Sequence, residues 1–185
     1  MTPATGPDPR RSERELVAVV AAHCAAQGYR TYIDPDGSDY FDLVVRRGDE
    51  VGLVEAKRSN ARAVLQQALR RRVWGDWTAV ALPGARAARR LADRTRGSRA
   101  APVGVWLVRG TAVKELRAAV PWAVPGTPDP YAPLRDRFRA VLTSLDRGEL
   151  PASVAWDAVP SAVRRASRGR GFAEWRLDEP GPGGP

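Results

Sequence analysis

Histidine and cysteine are nearly missing from this chain of 185 residues, which has one of each, the adjacent His23 and Cys24. A four-ligand zinc site, a disulfide and a Cys–His pair remote in sequence all need more than that, so thiol scaffolds, zinc deaminases and histidine-metal nucleases are excluded. Lysine is almost as scarce: Lys57 and Lys114 stand alone among 30 basic residues, the rest being arginine. No apolar run reaches the roughly 20 residues that span a bilayer, and the N-terminal residues, with Pro and Asp ahead of Arg10 and Arg11, lack an apolar signal core. A cytoplasmic protein with no membrane partner is the expectation. The chemistry left is that of carboxylates, lysine and hydroxyls, with a hard metal ion that prefers oxygen ligands.

What the chain has in excess is positive charge, +9 in net and a pI near 10.8, which points to a polyanionic partner. The excess is central. Residues 1–60 carry 8 basic and 10 acidic side chains, 61–117 carry 13 and 3, and 118–185 carry 9 and 8.

Residues 1–11 are Pro-rich and read as a disordered leader. Ser12 then caps a helix, with Glu15 completing a capping box and Gly28 closing it. On a helical wheel Glu13, Leu16, Val17, Val20, Cys24 and Gln27 share one face. Tyr29–Ile33 reads as a short strand, 34–39 as a turn, and Phe41–Arg46 and Val51–Arg58 as two alternating strands around Gly48-Asp49. Further elements are a helix from Ala61 to Val73 capped by Ser59 or Asn60, a strand Thr78–Leu82, a basic helix Ala85–Arg94 and a strand Val103–Val108. This order predicts an α/β domain over residues 12–118, a mixed central sheet flanked by helices. A Pro-rich linker, 119–130, leads to a small C-terminal region over 131–178: a helix Tyr131–Asp146, short helices Pro151–Trp156 and Ser161–Arg168, and a strand Gly171–Leu177, faintly like a winged helix. Residues 179–185 read as a disordered tail.

The hairpin register brings the chemistry together. With Gly48 and Asp49 as the turn, Arg47 faces Glu50 and each outward step pairs the next two residues, so Asp42 faces Glu55. Opposed side chains project to one face, their Cβ atoms roughly 4.5–5.5 Å apart, and period-two alternation adds Lys57. Two opposed carboxylates repel each other and lose solvation when covered. A divalent cation removes both objections, with Asp42, Glu55 and the Ala56 carbonyl as ligands and Lys57 beside the water it acidifies. The plainer reading is a solvated strand face with one ion pair.

Phe41-Asp42, then Glu55-Ala56-Lys57, behind a helix that opens Glu13-Arg14-Glu15-Leu16-Val17, resembles the PD-(D/E)XK nuclease superfamily, and within it the archaeal-type Holliday-junction resolvases. The likeness covers about residues 12–83, and Phe41 stands where the name-giving Pro would be. The resemblance implies a restriction-endonuclease-like fold and an Mg2+- or Mn2+-dependent endonuclease that hydrolyses phosphodiester bonds of branched or duplex DNA in recombination, repair or defence. Glu13, Asp42, Glu55 and Lys57 would be its catalytic set, and a homodimer follows because one centre cuts one strand. Gln66 and Gln67 on the next helix suggest the glutamine of some branches, without its following Tyr; Glu15 is an alternate for Glu13. Arg70, Arg71, Arg72, Arg86, Arg89 and Arg90 are the candidate phosphate contacts. A noncatalytic nucleic-acid-binding or assembly protein on the same scaffold, and a metal-dependent RNase, are the competing expectations.

Overall fold

A computed structural model describes residues 12–33, 41–98 and 100–149. The expected leader, the turn at 34–39, the two short helices, the terminal strand and the tail lie outside the described residues. Helix α1 (Glu13–Ala26) begins where the sequence predicts: the Ser12 side chain accepts from the Glu15 N–H, and Glu15 Oε2 accepts from the Ser12 N–H at 2.8 Å. It buries Leu16, Val17, Val20, Ala21 and Cys24, a stripe at helical spacing.

Strands β1 (Arg30–Tyr32), β2 (Leu43–Arg47) and β3 (Glu50–Ala56) form an antiparallel meander. Its hairpin pairs Arg47 with Glu50 and, at the far end, Leu43 with Val54. That is the predicted register. Helix α2 (Ala61–Arg71) returns the chain so that β4 (Trp77–Leu82) runs parallel to β3, and α3 (Ala85–Thr95) does the same between β4 and β5 (Gly104–Arg109). A last antiparallel strand, β6 (Ala112–Arg117), turns back on β5. The six strands lie in chain order in one mixed sheet, the expected α/β class.

Alternation divides the core between the two faces of the sheet. On one face, Leu43, Val45, Val54, Ala56, Ala79 and Ala81 pack against α1. On the other, Val64 and Ala68 of α2 and Ala88 and Leu91 of α3 cover Val80, Leu82, Val105 and Leu107. Beside them Phe138 and Leu142 of α4 (Ala132–Asp146) cover Phe41, Val44, Val51 and Leu53.

The position of α4 corrects the expected division of the chain at 119–130. Tyr32 donates to Asp146 at 2.7 Å, Arg46 to Thr143 at 2.9 Å, and Arg139 to the Asp49 carbonyl at 2.8 Å and to Asp76. Residues 132–146 thus complete the core of the sheet and are no separate C-terminal region. An isolated amphipathic pattern says that a helix has a face to bury, not which sheet receives it.

Among the described residues no helix is long and apolar enough to cross a membrane.

Candidate functional site

The sheet places an acid where its core should be apolar. Glu55 lies on the face covered by α2, α3 and α4, two residues along β3 from Leu53 and paired with Val80 of β4. Its side chain is 0% exposed. Arg71, in the last turn of α2, reaches in and donates to Glu55 Oε2, while Oε1 has no hydrogen-bond partner among the described residues. Burial pushes the Glu55 carboxyl up to about 7; Arg71 pulls it down and nearby Asp42 pushes it up again.

Asp42 sits one residue before β2, opposite Glu55 by continuation of the hairpin register. Its Oδ2 accepts from the Ala56 N–H at 2.7 Å, which pins the carboxylate against the end of β3. Burial raises its pKa as well, against the Ala56 hydrogen bond and the charges of Lys57 and Arg71, which lower it. Two desolvated carboxyls, Glu55 raised further by Asp42 and Asp42 by Glu13, form a site for a positive charge that Arg71 fills only in part.

Lys57 follows directly on β3. Its backbone N–H donates to the Ala81 carbonyl of β4 at 3.2 Å, which carries the strand geometry one residue further. Asn60 then takes a left-handed conformation, φ 58°, and its side chain accepts from the Ala63 N–H, capping α2. The turn between Lys57 and Asn60 is therefore held at both ends. Lys57 Nζ donates to Glu13 Oε2 at 2.9 Å, with the two side chains 24% and 46% exposed. The wheel turned Glu13 toward the buried stripe; the structure leaves it half open to solvent, at the mouth of the site beside the ammonium. Glu15 is occupied by the capping box.

The four residues of the expected set thus meet at the carboxyl end of β3. They do not all act as carboxylate ligands: among the described residues no three His, Cys, Asp or Glu side chains come together as a metal-binding group. Glu13 serves the lysine, leaving Asp42 and Glu55 as the pair. Gln67 lies on α2 with a buried Oε1 that has no hydrogen-bond partner among the described residues, and Gln66 is half-buried beside it.

The arginines divide differently from expectation. Arg71 is turned inward to Glu55, its guanidinium also 5.6 Å from the Phe41 ring centre. Arg72 lies over Trp122 at 5.4 Å. Arg70 and, on α3, Arg86, Arg89 and Arg90 are exposed. Arg71 is the site residue whose part the sequence pattern did not convey: its spacing fits any basic helix end, and only the depth of Glu55 gives it a role. Trp74 and Trp77 are buried in the core.

The chain matches no family model, and comparisons with curated proteins and with solved structures give no significant match.

Proposed function

We propose that the chain is a metal-dependent phosphodiesterase of the restriction-endonuclease-like kind, acting on DNA. The observation that carries this reading is the pair formed by half-buried Asp42, just before β2, and fully buried Glu55 on β3, with Glu55 Oε1 unpartnered among the described residues and Lys57 two residues along the same strand line. The mixed sheet flanked by helices is compatible with that fold, and the central excess of arginine suits a phosphate backbone.

The donor set fits a hard divalent cation. Asp42 and Glu55 supply anionic oxygens, as Mg2+ and Mn2+ prefer, and two carboxylates with waters are a usual complement for Mg2+. Once bound, such an ion supplies an acidified water and Lewis-acid polarisation of a phosphate oxygen. Asp42 and Glu55 would hold it, each giving up its raised pKa in the presence of positive charge. The Ala56 N–H fixes the rotamer of Asp42, and Glu13 fixes the ammonium of Lys57 at the mouth of the site. Lys57 there neutralises charge developing on the phosphate and orients the attacking water. Work in recombination, repair or defence, and a homodimer that cuts both strands, extend the same proposal.

The test has two readouts. Calorimetry at pH 7 should show Mn2+ or Mg2+ binding with proton release, absent in Asp42→Asn and Glu55→Gln. Four-way junction, flap, duplex and single-stranded DNA, with RNA counterparts, should then be incubated with the metal. Cleavage of DNA that Lys57→Ala abolishes supports the proposal, and cleavage of RNA alone makes the protein a ribonuclease. Metal-independent cleavage, or full activity in Lys57→Ala, rules it out.

A second reading, a binding or assembly protein without catalysis, is favoured by one observation: Arg71 already gives Glu55 a charge partner in the absence of metal. It predicts DNA binding with steep salt dependence and no heat of metal binding.

A further inference from the structure

Between α2 and α3 lies a cavity of about 510 Å³, open on one side, with Leu65, Ala87 and Leu91 in its wall and Arg62, Arg90 and Arg94 around it. Among the described residues no acidic side chain lines it. These three arginines have no hydrogen-bond or ion-pair partner among the described residues. The cavity therefore joins an apolar surface to three uncompensated positive charges, a combination that neither packing nor surface solubility requires. Its volume lies in the roughly 300–1,000 Å³ range of sites that enclose a small ligand or one unit of a polymer.

The two parts select different components of one ligand. Arginine guanidinium matches phosphate in shape and charge. The leucine and alanine wall needs a flat, weakly polar partner, such as an unstacked base. A duplex does not provide one, because its bases are stacked inside and a protein meets phosphates, sugars and groove edges. A single strand provides both at once, with bases free to lie on apolar or guanidinium surfaces while the backbone follows the charge.

Position adds to the argument. Helix α2 starts directly after the turn that follows Lys57, so Ala61 and Arg62 of the cavity lining follow that lysine by four and five residues in the chain. Both helices begin at the carboxyl ends of parallel strands, β3 and β4, at the same edge of the sheet.

We infer that the groove between α2 and α3 binds a single-stranded segment of nucleic acid, with Arg62, Arg90 and Arg94 on its phosphates and a base against Leu65 and Leu91. The inference rests on the reading of the chain as a protein that acts on nucleic acid. It narrows the substrate to one with an unpaired stretch.

Fluorescence anisotropy of the full chain, with a short labelled single-stranded oligodeoxynucleotide and the matching duplex, tests it without metal or catalysis. Arg62→Gln/Arg90→Gln/Arg94→Gln should weaken single-strand binding about tenfold or more at low salt, and should lower the log–log salt slope by about 2, at about 0.7 per phosphate. Duplex binding should change little. Ala87→Glu, an exposed helix position that puts an acid into the groove without touching the core, should act in the same direction, and covers the case in which the triple variant folds poorly. Arg137→Gln, an exposed arginine of α4 that does not line the groove, should bind the single strand as the parent does. Equal losses on both probes, unchanged single-strand binding in Ala87→Glu, or a parent that binds neither probe overturns the inference. If the variants behave as expected and no substrate is cut with metal, the groove assignment stands and the nuclease proposal falls.

Discussion

The Arg71 guanidinium, projecting from the last turn of α2, donates to one oxygen of the fully buried Glu55 and leaves the other oxygen of that carboxylate without a partner among the described residues. Removing one member of a buried ion pair strands the other, typically at about 3–5 kcal/mol. Arg71→Met should therefore lower unfolding stability by an amount in that range near pH 8, as read from urea denaturation. Because Glu55 can take a proton, the loss should shrink as the pH falls to 6. Glu55→Gln/Arg71→Met should recover most of it, since it removes the stranded charge; a double variant as unstable as Arg71→Met alone contradicts this account.

The same carboxyl sets a pH dependence in the metal-free protein. Its pKa is about 7 when folded against an ordinary 4.5, so between these values the folded chain keeps a proton that the unfolded chain has lost. Stability should then fall as pH rises from about 4.5 to about 7, by up to about 1.4 kcal/mol per pH unit, and level off above. Asp42, raised in the same sense, adds to the slope. Measured in chelator, Glu55→Gln should show a flatter profile; an unchanged slope would mean that Glu55 is not the titrating group.

Metal should reverse part of that loss. A cation held by Asp42 and Glu55 binds the folded state alone, and at a hundred times its dissociation constant contributes about 2.7 kcal/mol. Melting temperature above pH 7 should rise with Mn2+ in the parent and stay level in Asp42→Asn. That variant should still fold, because the amide oxygen can accept from the Ala56 N–H as the carboxylate does. A Mn2+ response retained in Asp42→Asn would place any bound metal elsewhere.

Much of this site was legible in the chain because it rests on local geometry. A Gly-Asp turn sets a hairpin register, and the register alone put Asp42 across from Glu55; the capping box likewise assigned Glu15 and freed Glu13. What stayed hidden depends on distant packing. Strand β6 has the polar pattern Ala-Val-Lys-Glu-Leu-Arg, because an edge strand with little buried surface has no apolar alternation to display. Arg71 and Arg72 look alike in sequence, and only the depth of Glu55 and the position of Trp122 separate them from the exposed Arg70.

Gly52 marks a close approach that composition does not reveal. A Cβ there would run into the indole ring of Trp77, the residue paired with it on β4. The ring is held in place, since Trp77 Nε1 donates to Glu50 Oε1 at 2.6 Å. Gly52→Ala should cost at least the roughly 1–3 kcal/mol of core overpacking, visible as a lower urea midpoint. Gly52→Ala/Trp77→Phe should narrow the gap measured against Trp77→Phe alone. Equal costs in both backgrounds would mean that the indole is not what excludes the methyl group.

Helix α4 gives the sharpest test of where the folding unit ends. Phe138 is 1% exposed and its ring lies 5.4 Å from that of Phe41, the residue just before Asp42, and 6.0 Å from that of Trp74. Phe138→Ala should cost about 3–5 kcal/mol in one cooperative transition that includes the sheet, because the cavity opens against β2 and β3 and not within a separate helical region. The same cavity lies behind Phe41 and so loosens the backbone that aims Asp42. Metal affinity measured on the folded fraction should fall with stability. A variant that melts in two steps, with the sheet unaffected in the second, would show that residues 132–146 fold apart from the site they cover.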